Sequence, residues 1–342
     1  MAAPQIRDLP SAEGLTSEDA AASSPMAKVW RAMWGNKTAF VGLVVLVVLI
    51  ILSIFAPLIA PYPINQQVGH PFSPPSVHHL LGLDDAGYDV FSLLLYGLRI
   101  SLLVGFSATI IASALGTLIG VVAGYRGGII DNLLMRLTDY FLVIPLLPLM
   151  IVVADLWGAT LFHVIAVIGV LSWTMTAIVI RAQVRSLREY TFIRRARATG
   201  ASHTRIIVQH ILPQVMPLVV ANTVLNISYA VFTETALAFL GIGDPSQVSL
   251  GTMIEFGFQR GAITDGAWWA IVPPGLLVTI IVLACSLIGR GIETTFNPRL
   301  NLAHLSMRRP RLIPGLGASQ SSISRPGASP TSRAGGANGT SA

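Results

Sequence analysis

The chain has 342 residues, of which 53% are hydrophobic and 11% charged, with 22 Lys or Arg against 16 Asp or Glu and a net charge of +6. Soluble domains carry about 25% charged residues, so a water-facing globular fold is excluded and lipid is the expected main solvent. The positive balance does not point to nucleic acid, because the arginines stand at the ends of apolar runs rather than along one basic face.

About twenty apolar residues cross a bilayer as a helix, and the sequence predicts six such spans. Residues 1–27, rich in Ala, Ser and acid, are expected to be a disordered tail. Asp8, Glu13, Glu18 and Asp19 in that tail argue against a cleaved leader. The first span is read at about 39–60. A loop with several prolines follows, in which the adjacent His78 and His79 lack metal-ligand spacing. Its second half, LGLDDAGYDVFSLLLYGLRISL, looks helical and partly interfacial. Span two (about 101–125) is rich in Gly, Ala and Ser. Spans three (133–156) and four (161–180) follow, with Pro145 and Pro148 expected to kink or start helices. A strongly basic stretch, 186–213, precedes span five (215–240). The loop at 241–269 ends in Trp268 and Trp269, which suit an aromatic belt. Span six (270–289) contains Cys285, the single cysteine, which reads as a small packing residue and excludes an intramolecular disulfide. Residues 303–342, rich in Ser, Gly, Pro and Ala, are expected to be a second disordered tail.

The basic residues alternate by side. Arg7, Lys28, Arg31 and Lys37 precede span one. Arg126 and Arg136 flank the turn between spans two and three. Arg181, Arg185, Arg188, Arg194, Arg195, Arg197 and Arg205 lie between spans four and five, and Arg290 with six further arginines follows span six. The opposite side holds only Arg99 and Arg260. Basic loops stay in the cytoplasm, so both termini and the stretch 186–213 are expected there. The fold class is thus an all-α polytopic membrane protein with six transmembrane helices.

Residues 194–213 read RRARATGASHTRIIVQHILP. The pattern is a helix over 189–199, a break at Gly200 and a second helix up to Pro213. The spacing resembles the cytoplasmic signature of permeases of binding-protein-dependent ATP-binding cassette importers. That signature runs Glu-Ala-Ala, three residues, Gly, nine residues, Ile, any residue, Leu-Pro. Ala196, Gly200, Leu212 and Pro213 match it; Arg194, Arg195 and His210 depart from it. GYRGGIIDNLLMRLTDYFLVIP (124–145), the 81–102 stretch, TETALAFLGIGDP (233–245) and IETTFNPRL (292–300, with Asn297-Pro298 for the usual Asp-Pro) resemble the dipeptide/oligopeptide/nickel subfamily, in particular its C-type subunit. The resemblance covers about 28–302.

What the resemblance implies is a permease domain over 28–302 in a prokaryotic plasma membrane. Its short cytoplasmic helix would dock on a separate ATPase through Arg188, Glu189, Arg194, Ala196, Arg197 and Gly200, with Leu212 and Pro213 closing the element. The alternative for the arginines is attraction to anionic lipid heads. Implied partners are a homologous second permease, one or two ATPase subunits and an external solute-binding protein. The chain itself has no phosphate-binding loop, since no lysine follows a glycine, so it is read as a non-enzyme. ATP and its magnesium would sit on the partner. Short peptides are the first substrate to expect; nickel chelates, haem-like ligands and sugars stay open.

Glu234 lies inside span five, and an ionisable group at membrane depth is a candidate for the translocation path; the alternative is packing between permeases. Asn222 and Asn226, one turn apart, either line the path or hydrogen-bond another helix. Asp139, three residues after Arg136, reads as one half of an ion pair. The competing function is a channel or secondary transporter working alone, for which a lone carrier's repeat and buried charge network are not visible.

Overall fold

The structure, a computed structural model, describes residues 36–158 and 160–296, with side chains as far as Glu293. The predicted tails at 1–27 and 303–342, and Asn297-Pro298, lie outside the described residues. Among the described residues every extended element is helical, and only an isolated bridge joins Leu83 to Asp89. Five helices of the described residues are long and apolar enough to cross a membrane, and a sixth crossing is made if one sharply bent pair counts as a span.

Asn36 opens α1 (Lys37–Ile54) by accepting the Thr38 N–H at 3.1 Å. A short α2 (Ala56–Ile59) follows. The next span differs from expectation in length: α3 runs Val90–Arg126, 37 residues, because the helical second half of the loop joins span two without a break, opened by Asp89, which accepts the Ser92 N–H at 2.8 Å. At 1.5 Å per residue α3 is about 55 Å long, more than the ~30 Å hydrocarbon core. The third predicted span is not one straight rod. It consists of α4 (Gly128–Val143) and α5 (Leu146–Trp157), bent by 87°. The cause is local: Pro145 offers no N–H and drives the preceding Ile144 into extended backbone, ψ 129°.

Span four is α6 (Leu161–Leu171) continued by α7 (Thr174–Arg188). Then come α8 (Thr191–Ala198) and α9 (His203–Ile206). The helix after Gly200 does not stop at Pro213. It passes through a widened π-type turn, Ile207–Ile211, into α10 (Leu212–Phe239), so that His203–Phe239 forms one 37-residue crossing. The widened turn lies just ahead of Pro213, whose ring would otherwise meet the carbonyl one turn back. Helix α11 (Leu250–Gln259) is opened by a capping box between Ser249 and Thr252, and α12 (Val272–Phe296) closes the described chain.

Helices α3 and α10 stand at the centre. Helix α3 packs on α7, α6 and α10; α10 packs on α12, which carries α1 on its outer side. Lipid removes the hydrophobic drive for helix pairing, so close backbone approach must replace it. Gly116, Gly120 and Gly124, at four-residue spacing on α3, supply it. A Cβ at these positions would meet Trp173 O at 2.6 Å, Ala177 O at 2.7 Å and Arg181 O at 2.8 Å, all on or next to α7. Cys285 is fully buried among Leu46, Ile281 and Ile288 in the α1–α10–α12 core.

Candidate functional site

The basic stretch folds into a corner at one end of the bundle. Helix α7 ends at Arg188, and Glu189 belongs to the corner rather than to the short helix, because Tyr190 turns to extended backbone, φ −68° and ψ 145°. Helix α8 is therefore shorter than the predicted 189–199. It is held down by one apolar side chain, Ile193, fully buried with Val184, Leu187, Ile206 and Val215. Arg194, Arg195 and Arg197 are exposed, and Ala196 is half-buried. The helix ends in a Schellman motif: Gly200 N–H donates to Arg197 O and Ala201 N–H to Ala196 O, both at 3.1 Å. Gly200 sits at φ +82° with nothing within 4 Å of a built Cβ, so its need for glycine is conformational and not steric.

Charges at the corner are partly spent within it. Glu189 accepts from Arg194 Nη2 at 2.9 Å and Arg188 Nε at 3.2 Å. These arginines, Arg194 first, hold its carboxyl below the usual range although it is exposed. Arg188 also donates to Tyr125 O at 3.3 Å, which turns it toward the bundle. Leu212 and Pro213, half-buried, start α10 beyond the widened turn.

The three span-five residues read as path candidates, Asn222, Asn226 and Glu234, are not gathered at this corner. Asn222 and Asn226 both donate to Thr176 Oγ1 of α7, at 2.8 and 2.9 Å. Glu234 lies 22 residues after Leu212, about 33 Å farther along the helix. It is 4% exposed, accepts from Ser101 Oγ of α3 at 2.9 Å, and is reached by the Ser249 hydroxyl that caps α11. Ser101 Oγ in turn accepts the Leu250 N–H at 3.2 Å. Glu234 thus ties spans two and five to α11 at the end opposite the basic corner.

No ion pair joins Asp139 to Arg136 among the described residues; both line one open surface depression. One turn apart is within reach, yet exposed long side chains gain little by pairing. The partner that the charges select is elsewhere: Asp131, in the first turn of α4, takes Arg181 of α7 with both oxygens, and Arg185 Nη1 stands 4.0 Å away. Sequence spacing gives no hint of this pair, fifty residues apart. Two more groups were missed. Tyr125 meets His203, and Thr176 accepts both asparagines. The glycine stripe is visible as small-xxx-small spacing in GTLIGVVAG, once one asks what it faces.

At the other end, the 61–89 loop leans on α11 through an ion pair between Asp85 and Arg260. A cavity of about 200 Å³ opens beside it, lined in part by Asp84, Tyr88, Leu93 and Met253. Burial pushes the Asp84 carboxyl up to about 6. Among the described residues no three His, Cys, Asp or Glu side chains form a metal-holding group.

Residues 116–302 match the profile of the binding-protein-dependent transport system inner membrane component, and residues 24–75 that of the N-terminal transmembrane domain of oligopeptide transport permease C. The chain belongs to this permease family. The first match runs from the middle of α3 through the corner to the end of α12, and the second covers α1. The permease is 33% identical over 273 residues to the dipeptide transport system permease protein DppC of Bacillus subtilis (strain 168), covering 79% of this chain and 85% of that one. It is 32% identical over 288 residues to the DppC of Haemophilus influenzae, covering 82% and 97%. It is 31% identical over 267 residues to the oligopeptide transport system permease protein OppC of Bacillus subtilis, covering 78% and 87%. The protein is accordingly a multi-pass inner-membrane component and a transport permease subunit.

Proposed function

We propose that this permease carries short peptides inward across a prokaryotic plasma membrane, powered by ATP bound and hydrolysed with magnesium on separate subunits. The basic corner lies in the cytoplasm with both termini, and α8 is the helix that docks on the ATPase. One observation carries the reading: α8 stands between two backbone breaks, Tyr190 and Gly200, with a single buried anchor and three exposed arginines. A short exposed helix pinned this way is a seat for a partner. The relatives named for dipeptide and oligopeptide transport support peptides as the cargo.

The remaining partners follow from the class: a homologous second permease, one or two ATPase chains, and an external solute-binding protein facing the 61–89 loop and α11. ATP-driven closure of the ATPases shifts the membrane subunits between inward- and outward-facing states, which requires ATP to favour one of the two. Arg188, Glu189, Arg194, Ala196, Arg197, Gly200, Leu212 and Pro213 serve the docking; Glu234 is assigned to the path, and Asn222 and Asn226, which donate to Thr176, are assigned to the helix contact beside it.

The direct test is to tag the chain, extract it in mild detergent and identify its companions by mass spectrometry. A second six-span permease with a phosphate-loop ATPase supports the reading, and a chain that purifies alone overturns it. A Gly200→Val variant forces a β-branched residue to φ +82°, at a cost of about 1–2 kcal/mol, and breaks the Schellman closure. It is expected to insert normally while losing ATP-coupled uptake; normal uptake of a radiolabelled dipeptide would remove α8 from the docking role. Glu234→Gln replaces the buried carboxyl by an amide and keeps the volume. It should alter uptake kinetics with the ATPase still bound, and unchanged kinetics would leave Glu234 a packing residue.

A further inference from the structure

Tyr125, the last residue but one of α3, is 4% exposed although it stands at a helix end. Its hydroxyl lies 2.9 Å from His203 Nδ1, at the first residue of α9. The two rings meet edge to face at 5.7 Å between centroids. Its ring carries the Arg197 guanidinium of α8 at 5.6 Å. Its carbonyl accepts from Arg188, the last residue of α7, at 3.3 Å. One residue of span two therefore touches all three pieces that flank the corner: the helix before Tyr190, the helix between the breaks, and the helix after Gly200.

The neighbouring turn reinforces this. A Cβ on Gly127, at φ +66°, would stand 2.7 Å from Arg188 Nη1, so the guanidinium occupies the space a side chain would need. A few residues on, Asp131 binds Arg181 with both oxygens. By itself an eight-residue helix between two breaks, with one buried anchor, is free to swivel. Three attachments to the end of one long helix remove that freedom.

We propose that Tyr125 is a positioning residue that locks the α8–Gly200–α9 corner to the α3–α4 turn, so that the two move as one body and a push on α8 reaches spans two and three without being absorbed at the corner. The inference rests on α8 as the ATPase-docking helix. Tyr125 adds no contact to the ATPase; it sets how stiffly the docked helix is joined to the membrane helices.

The test uses the complex purified from its native membrane, in a Cys285→Ala background, with nitroxides at Ile129→Cys on α4 and Ala198→Cys on α8, both exposed positions. Their separation is read by pulsed electron resonance, without nucleotide and with ATP and vanadate. The parent should give one narrow distance, the same in both conditions. Tyr125→Phe keeps the ring and deletes the hydroxyl; His203→Ala deletes its partner. Each should widen the distribution about two-fold, and the double variant no further. His203→Asn, which keeps a hydrogen-bonding atom near the Nδ1 position, should restore the narrow form. Parental distributions in both single variants, or a parent distance that shifts with nucleotide, would overturn the proposal. The nucleotide-free arm needs no ATPase. If none accompanies the chain, the importer reading falls while the lock is still judged.

Discussion

Gly120→Leu is expected to abolish accumulation of the folded permease. The Cβ alone would stand 2.7 Å from Ala177 O, 2.9 Å from Ile180 Cβ and 3.1 Å from Arg181 N. Two of these are backbone atoms of α7, so relief requires the helices to separate, not a side chain to turn. Overpacking in a tight core costs roughly 1–3 kcal/mol, and here separation also forfeits the van der Waals contact along the Gly116–Gly120–Gly124 seam that holds helices together in lipid. Even Gly120→Ala should lower the unfolding midpoint measured in detergent. Gly275→Ala is the control: it also lies in a helix, yet nothing stands within 4 Å of its Cβ. There alanine should be neutral or stabilising by up to about 1 kcal/mol through helix propensity. Equal behaviour of the two variants in fluorescence-detected size exclusion would contradict the seam.

The second large effect is expected at Asp131. Its side chain is 8% exposed and that of Arg181 23%. Removing one member of a buried pair leaves the other charged and uncompensated, a loss on the order of 3 kcal/mol. Asp131→Ala should therefore destabilise more than Arg181→Ala, since Arg185 and Arg188 also look toward the vacated carboxylate. The double variant Asp131→Ala with Arg181→Ala should recover part of the loss, because no orphan charge of that pair remains. Simple additivity in a thermal-unfolding cycle would show that the pair is not coupled.

Much of the fold was legible because the signals are local. Apolar length marks α1 and α12, Ile144-Pro145 marks the bend, and Gly200 marks the end of α8. A helix over VFSLLLYGL was legible, but span two was started only at 101 because Arg99 interrupts the apolar run, whereas the helix that Asp89 caps continues through it. Glu189 was placed in α8 because composition does not reveal the extended turn at Tyr190. Asp131 was passed over for Asp139, which has an arginine one turn away, whereas the true partner arrives from α7 only after span four has folded back on span two. Thr176 was invisible as the acceptor for Asn222 and Asn226 for the same reason: a hydroxyl's role depends on which helix faces it.

The continuous crossing from His203 to Phe239 has a mechanical meaning. Its irregularities, the widened turn at Ile207–Ile211 and Pro217 just beyond it, lie toward one end. A pivot at the widened turn would have a short arm at the corner and a long arm that carries Glu234, some 23 residues or about 35 Å beyond. A tilt of about 5° there would sweep Glu234 sideways by ~3 Å, the length of a hydrogen bond. Ser101 and Ser249 grip that far tip from two other helices. A small tilt at the corner would therefore be enough to break or make the hydrogen bonds that tie Glu234 to the other two helices.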